Sequence, residues 1–280
     1  MKNVVACIDG TDVSTAVSDF GAWASQRLGS TLVLLHVLDK SEYPAQRDLS
    51  GNIGLGSREA LLQELAELDE KRGKLAMEQG RIMLETAKQR AMDDGVAEPI
   101  THQRHGNLLD SLLAIEQDTR LLVLGKHDEK LKPHVGSRVE SVVRSLHCPI
   151  LVTTDTFKAP GKVMLAFDGS DTTRKGVEMI ARSPLFKGIP CHLVMVGNDS
   201  DAHREQLDRA RSTLEQAGFD APATIISGEV ERVLCDYRAA NDIDMLIMGA
   251  WGHSVVRRFL VGSTTTNVVR NATVPVLLLR

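Results

Sequence analysis

The sequence predicts an α/β chain of two tandem doubly wound domains, each a five-stranded parallel sheet with helices on both faces. Three observations carry this expectation. A set of segments recurs along the chain. Apolar runs of strand length alternate with amphipathic runs of helix length. One glycine-rich stretch joins the carboxyl end of a buried strand to the amino end of a helix.

The recurrence sets the organisation. Asn3 to Asp12, reading NVVACIDGTD, returns as Lys162 to Asp171, reading KVMLAFDGSD, and Leu34 to Val37 returns at the same offset as Leu193 to Val196. His105 to Leu112 matches Ser227 to Leu234, Leu121 to Gly125 matches Met245 to Gly249, and Cys148 to Val152 matches Val274 to Leu278. The expected domains are therefore 1–155 and 161–280, with the boundary near Thr154 to Gly161.

In the second unit the apolar runs place strands at 162–167, 191–196, 223–226, 243–248 and 276–279. Amphipathic segments place helices at 171–182, 201–217, 229–240 and 263–271. Strands so apolar, separated by helices, belong in a parallel sheet covered on both faces and connected by right-handed crossovers. The first unit carries an insertion at 39–97. Residues 41–57 are rich in Gly, Ser, Pro and Asn and read as a loop, and 58–94 reads as a long helix, broken near Gly73 or Gly80, with a solvated charged face.

Composition excludes several classes. No apolar run approaches the roughly 18 residues of a membrane span, and the start MKNVVAC reads as a strand rather than a cleavable signal, so a cytoplasmic location is expected. The net charge of −4 argues against a nucleic-acid or anionic-membrane surface. Cys7, Cys148, Cys191 and Cys235 show neither disulfide nor zinc spacing. No Gly-x-Ser-x-Gly elbow, His-Glu-x-x-His or Gly-Lys-Ser/Thr phosphate loop is present, and the histidines show no repeated ligand spacing. A small-molecule or protein partner is the remaining expectation.

The glycine-rich stretch runs GAWGHSVVRRFLVGSTTT from Gly249 to Thr266, behind the apolar run that ends at Met248. Gly249, Gly252 and Gly262 let the backbone approach a ligand, and Ser263, Thr264 and Thr265 bring hydroxyls beside the unpaired N–H groups of a helix start, which together make a phosphate nest. The plainer alternative is a βα loop with turn glycines and Ser263 as an N-cap. The spacing Gly, two residues, Gly, nine residues, Gly-Ser resembles the nucleotide loop of the universal stress protein family in its ATP-binding branch. That resemblance spans both units and implies a Rossmann-like fold.

The resemblance also implies a ligand, ATP with Mg2+ carried by the triphosphate, and a contact set of Phe167, Asp168, Val196, Met248, Gly249, Gly252, His253, Gly262, Ser263, Thr264 and Thr265. In the family an aspartate at the place of Asp168 touches the nucleoside end, and the main chain at the place of Met195 and Val196 meets the adenine edge. From the residues alone, Asp168 either reaches a ligand from the end of its strand or caps the turn that follows, with Asp171 the better N-cap candidate. His253, Arg257 and Arg258 reach phosphate or solvent equally well, and Trp251 and Phe259 read as anchors of the loop.

The first unit's matching loop runs from Gly125 to Ser137, is two residues shorter and puts Asp128 where the second has Gly252, so tight ATP binding is expected in the second unit only. Single-domain relatives dimerise through their last strand, which implies that 149–152 and 275–279 meet inside this chain as a pseudo-dimer. Further dimerisation and the identity of a protein partner stay open. The functional expectation is a nucleotide-dependent regulatory protein without a recognisable catalytic group. A slow ATPase or phosphotransferase, or a scaffold whose nucleotide is structural, are the alternatives.

Overall fold

The structure is a computed structural model that describes residues 2–39, 55–126, 135–250 and 263–280. Its first half runs β1 (Asn3–Cys7), α1 (Ser14–Leu28), β2 (Leu32–Leu38), α2 (Leu55–Asp93), β3 (Ile100–His105), α3 (Leu108–Leu113), β4 (Thr119–Gly125), α4 (Val135–Ser145) and β5 (Ile150–Thr153). The second half repeats the order: β6 (Val163–Ala166), α5 (Asp171–Arg182), β7 (Cys191–Val196), α6 (Asp201–Gln216), β8 (Ala223–Ile226), α7 (Val230–Ala240), β9 (Met245–Gly249), α8 (Ser263–Asn271) and β10 (Val276–Leu279).

The strands form one ten-stranded sheet in the order β3-β2-β1-β4-β5-β10-β9-β6-β7-β8. Every neighbouring pair is parallel except β5 and β10, which run antiparallel with Leu151 opposite Leu277. The expected contact between the two terminal strands is thus made, and it fuses two five-stranded sheets into one. An apolar last strand left at an edge would offer unpaired N–H and C=O groups to any passing chain; here each terminal strand covers the other.

Alternation along each strand sends neighbours to opposite faces, and both faces are apolar. Val4 and Ala6 join one core with α1, α2, α5 and α6, whereas Val5 joins the other with α3, α4, α7 and α8. Sheets covered on both sides read as continuous apolar runs, as these strands do. The halves also meet off the sheet. Trp23 lies against Phe186, Arg27 Nε donates to the Leu185 carbonyl at 3.0 Å, and Phe20 stands edge-on to Phe157 of the connecting segment.

Two expectations are corrected. Helix α2 is unbroken through Gly73 and Gly80. Gly80 instead allows a close approach to the sheet: a Cβ there would stand 2.5 Å from Gln103 Nε2 and 2.6 Å from His36 Cδ2. The N-cap of α5 is Ser170, whose hydroxyl accepts from Thr173 N, while Asp171 lies in the first turn and pairs with Arg174. Among the described residues, no helix is long and apolar enough to cross a membrane.

Candidate functional site at the carboxyl edge of the second half

From β6 the chain winds outward through β7 and β8, then returns to the other side of β6 as β9 and β10. The carboxyl edge between β6 and β9 is therefore the topological switch point, where the two connections leave in opposite directions and open a crevice. Ala166 pairs with Val194 on one side and Met248 on the other. Two residues further on, that register carries Asp168 to the level of Val196 and Ala250. Asp168, Val196 and Gly249, scattered over some eighty positions of sequence, thus come to one edge.

Each residue is held differently. Phe167 is buried in the core shared with α5 and α6, and its N–H donates to the Val194 carbonyl, so only its main chain faces the edge. Asp168 Oδ1 accepts from Ser170 N at 3.0 Å and from Thr173 Oγ1 at 2.8 Å, which fixes the carboxylate above the turn. Gly169, at φ +71°, takes a left-handed conformation, and a Cβ there would fall 2.0 Å from Gln206 Oε1 of α6. Val196 is half-buried at the end of β7 and Met248 is buried in the second core, leaving their main chains at the edge. At Gly249 a Cβ would come within 3.3 Å of Thr172 Cγ2, and Ala250 N donates to the Leu279 carbonyl.

Ser263, Thr264 and Thr265 open α8, so the amino end of this nine-residue helix provides N–H groups with no partner inside the helix. Gly252, His253 and Gly262, together with Trp251, Arg257, Arg258 and Phe259, lie outside the described residues. The residues present fit a nucleotide in one testable respect: the chain leaves the switch-point strand at a closely packed glycine, Gly249, and re-enters regular structure at the start of a helix, Ser263.

The first half repeats the turn. Asp9 Oδ1 accepts from Thr11 N, Thr11 Oγ1 and Ser14 Oγ, and Gly10, at φ +76°, would place a Cβ 2.1 Å from Met83 Sδ of α2. Ser14 and Thr173 therefore do the same work five residues after their aspartates. Sequence reading missed this pair, although the matched spacing of a hydroxyl residue was visible in both repeats. His36 stands where the second half has Met195, and its Nδ1 lies 2.7 Å from the Ile8 carbonyl oxygen. Asp128 lies outside the described residues.

Among the described residues no cluster of three or more His, Cys, Asp or Glu could cage a metal ion. Burial pushes the Cys148 thiol up to about 11 and the Cys191 thiol up to about 12. Cys7 rises further, from burial first and then from the charge of Asp9. Raised in this way, the three thiols stay protonated at neutral pH.

A family model described as the universal stress protein family matches residues 1–154 and again 160–280. A universal stress protein of Synechocystis sp. is 36% identical over 287 aligned positions that cover 100% of both chains. The fold is shared at lower identity by a universal stress protein of Archaeoglobus fulgidus, at 19% identity and a TM-score of 0.69, over 99% of this chain and 96% of that one. It is shared too by a functionally unknown protein of Pseudomonas aeruginosa, at 16% identity and a TM-score of 0.60, over 100% of this chain and 92% of that one.

Proposed function

The chain belongs to the universal stress protein family, and on that premise we propose that its second half binds ATP as a regulatory ligand at the carboxyl edge between β6 and β9. The observation that supports this most is the register that brings Asp168, Val196 and Gly249 to one switch point, with α8 beginning at Ser263. In this reading Asp168 meets the ribose, its orientation held by Thr173 and the turn. The main chain at Met195 and Val196 meets the adenine edge. Gly249, Gly252 and Gly262, with the start of α8, receive the phosphates through N–H groups and the hydroxyls of Ser263, Thr264 and Thr265. His253 adds a donor, and Mg2+ enters as counter-ion of the triphosphate. We assign the protein to the cytoplasm, where ATP is available to it.

Nothing in the reading requires that bound ATP be hydrolysed. Ligand at a hundred times its Kd adds about 2.7 kcal/mol of stability. Thermal melts of the purified chain should rise with ATP and should cease to respond in Gly252→Asp and in Gly262→Val. Each replacement puts a side chain, and in the first case a negative charge, where a phosphate is to sit. An unresponsive wild type, or equal shifts in both variants, would sink the assignment.

A further inference from the structure

Helix α2 serves two different surfaces along its 39 residues. Its carboxyl half packs on the body through Ala76, Gly80, Leu84, Ala87 and Ala91, one face of the helix. From Ala66 to Leu75 every residue is exposed, a stretch of about 15 Å along the helix axis that lies off the body. An isolated helix of that length is marginal in water, and it is sustained by packing of an apolar stripe.

Such a stripe is present and is turned away from the body. Leu68 is 44% exposed, Leu75 68% and Ile82 51%, at intervals of seven residues. Leu61 stands seven residues before Leu68 in the sequence, and Leu65 lies between them at the alternating three-four spacing. This is the seam of a two-stranded coiled coil with nothing of this chain packed on it between Ala66 and Leu75. We propose that the part of α2 centred on Leu65 and Leu68 pairs with the same part of a second copy of this chain, in antiparallel orientation. The proposal is independent of the ATP reading.

Charge selects both the occupant and its direction. With Leu65 against the partner's Leu68, Glu64 lies beside the partner's Lys71 and Lys71 beside the partner's Glu64, two attractive contacts related by the dyad. A parallel pair would set Glu64 against the partner's Asp69. The body also favours the antiparallel arrangement. With the dyad between Ala66 and Glu67, the two Ala76 positions, where the bodies begin, lie roughly 30 Å apart along the axis, whereas a parallel pair would force both bodies to one end.

Sedimentation equilibrium of the full-length chain should show a reversible dimer at micromolar concentrations. Leu65→Glu combined with Leu68→Glu should yield monomer. Glu64→Lys alone and Lys71→Glu alone should each weaken the dimer roughly three- to tenfold, because each turns two attractive contacts repulsive. The double variant E64K/K71E should return to wild-type affinity. The charge variants keep every apolar contact of the fold, so a folding failure of the leucine variant leaves the test intact. A wild-type chain that stays monomeric at 100-fold higher concentration, a dimer indifferent to the leucine substitutions, or a double charge swap that fails to restore affinity would each overturn the proposal. Capture of the helix by a different protein, with this chain monomeric, counts among the first of these.

Discussion

Lys126 Nζ donates to the Ala272 carbonyl oxygen at 3.0 Å, tying the residue just past β4 in the first half to the carboxyl end of α8 in the second. A cation at a helix carboxyl terminus meets carbonyls that have no partner within the helix and the negative end of the helix dipole. Replacing Lys126 with Met is expected to cost about 2 kcal/mol and lower the melting temperature by a few degrees. Since α8 begins at Ser263, the stabilisation conferred by ATP should shrink as well. Calorimetric melts with and without ATP check both parts, and an unchanged ATP shift would separate Lys126 from the nucleotide.

Two glycines of α2 are expected to respond in opposite directions. At Gly73 an added Cβ would meet nothing within 4 Å, so Gly73→Ala should gain up to about 1 kcal/mol of helix propensity. At Gly80 the added methyl meets Gln103 and His36, and overpacking of about 1–3 kcal/mol should exceed that gain, leaving the variant less stable. Urea titrations of the two variants beside wild type decide it; matching shifts would mean that α2 does not dock where described.

Asp244 clasps the segment between the halves. Its carboxylate, 14% exposed, accepts from Gly161 N at 2.9 Å, Lys162 N at 3.1 Å and Lys158 Nζ at 2.5 Å. Burial works to raise its pKa, but the bonds from Lys158 and the two backbone N–H groups outweigh it and hold the group below the usual carboxylate range. A depressed folded pKa means a contribution fully present above the unfolded value near 3.9 and lost as pH falls through the folded one. Asp244→Asn should therefore cost about 1–3 kcal/mol at pH 7, with the melting curves of variant and wild type drawing together as pH falls below the unfolded carboxylate range. A constant gap across that range would contradict the assignment.

Calorimetric titration of nucleotide-free protein is expected to give one tight ATP per chain. Asp128 replaces the glycine of the second loop, and a carboxylate about 4 Å from a phosphate charge costs on the order of 4 kcal/mol at an effective dielectric near 20, about a thousandfold in affinity. Two equivalent tight sites would refute it.

The sequence made much of the second half legible, and the reasons are local. β7 and β8 begin and end where apolar runs meet Pro, Gly or Ser, β10 begins behind Pro275, and α5 and α8 start at residues suited to helix openings. The union of β5 and β10 followed from two apolar terminal strands that each required a partner. Legibility failed where two readings shared one residue type. Asp168 and Asp171 both read as caps, whereas the cap is Ser170, whose hydroxyl accepts from Thr173 N while its own N–H donates to Asp168. Gly80 looked like a helix breaker because sequence shows propensity but not the proximity of His36. The link from Lys126 to Ala272 spans 146 positions and has no signature in either segment. At the candidate site, Asp168 and Gly249 could be placed at one edge from strand ends alone, whereas Thr173 and Gln206 emerged only with the helices in position.

The antiparallel meeting of β5 and β10 sets the direction of everything attached to them. Every strand of the first half points one way and every strand of the second the other, so the two aspartate turns, at Asp9 and Asp168, open on opposite rims of the sheet. In a symmetric pair of identical single-unit chains, any inherited change at one rim is imposed on the other. Covalent fusion lifts that constraint. Each rim carries its own codons, so Asp128 can stand in one half with Gly252 at the matching place in the other.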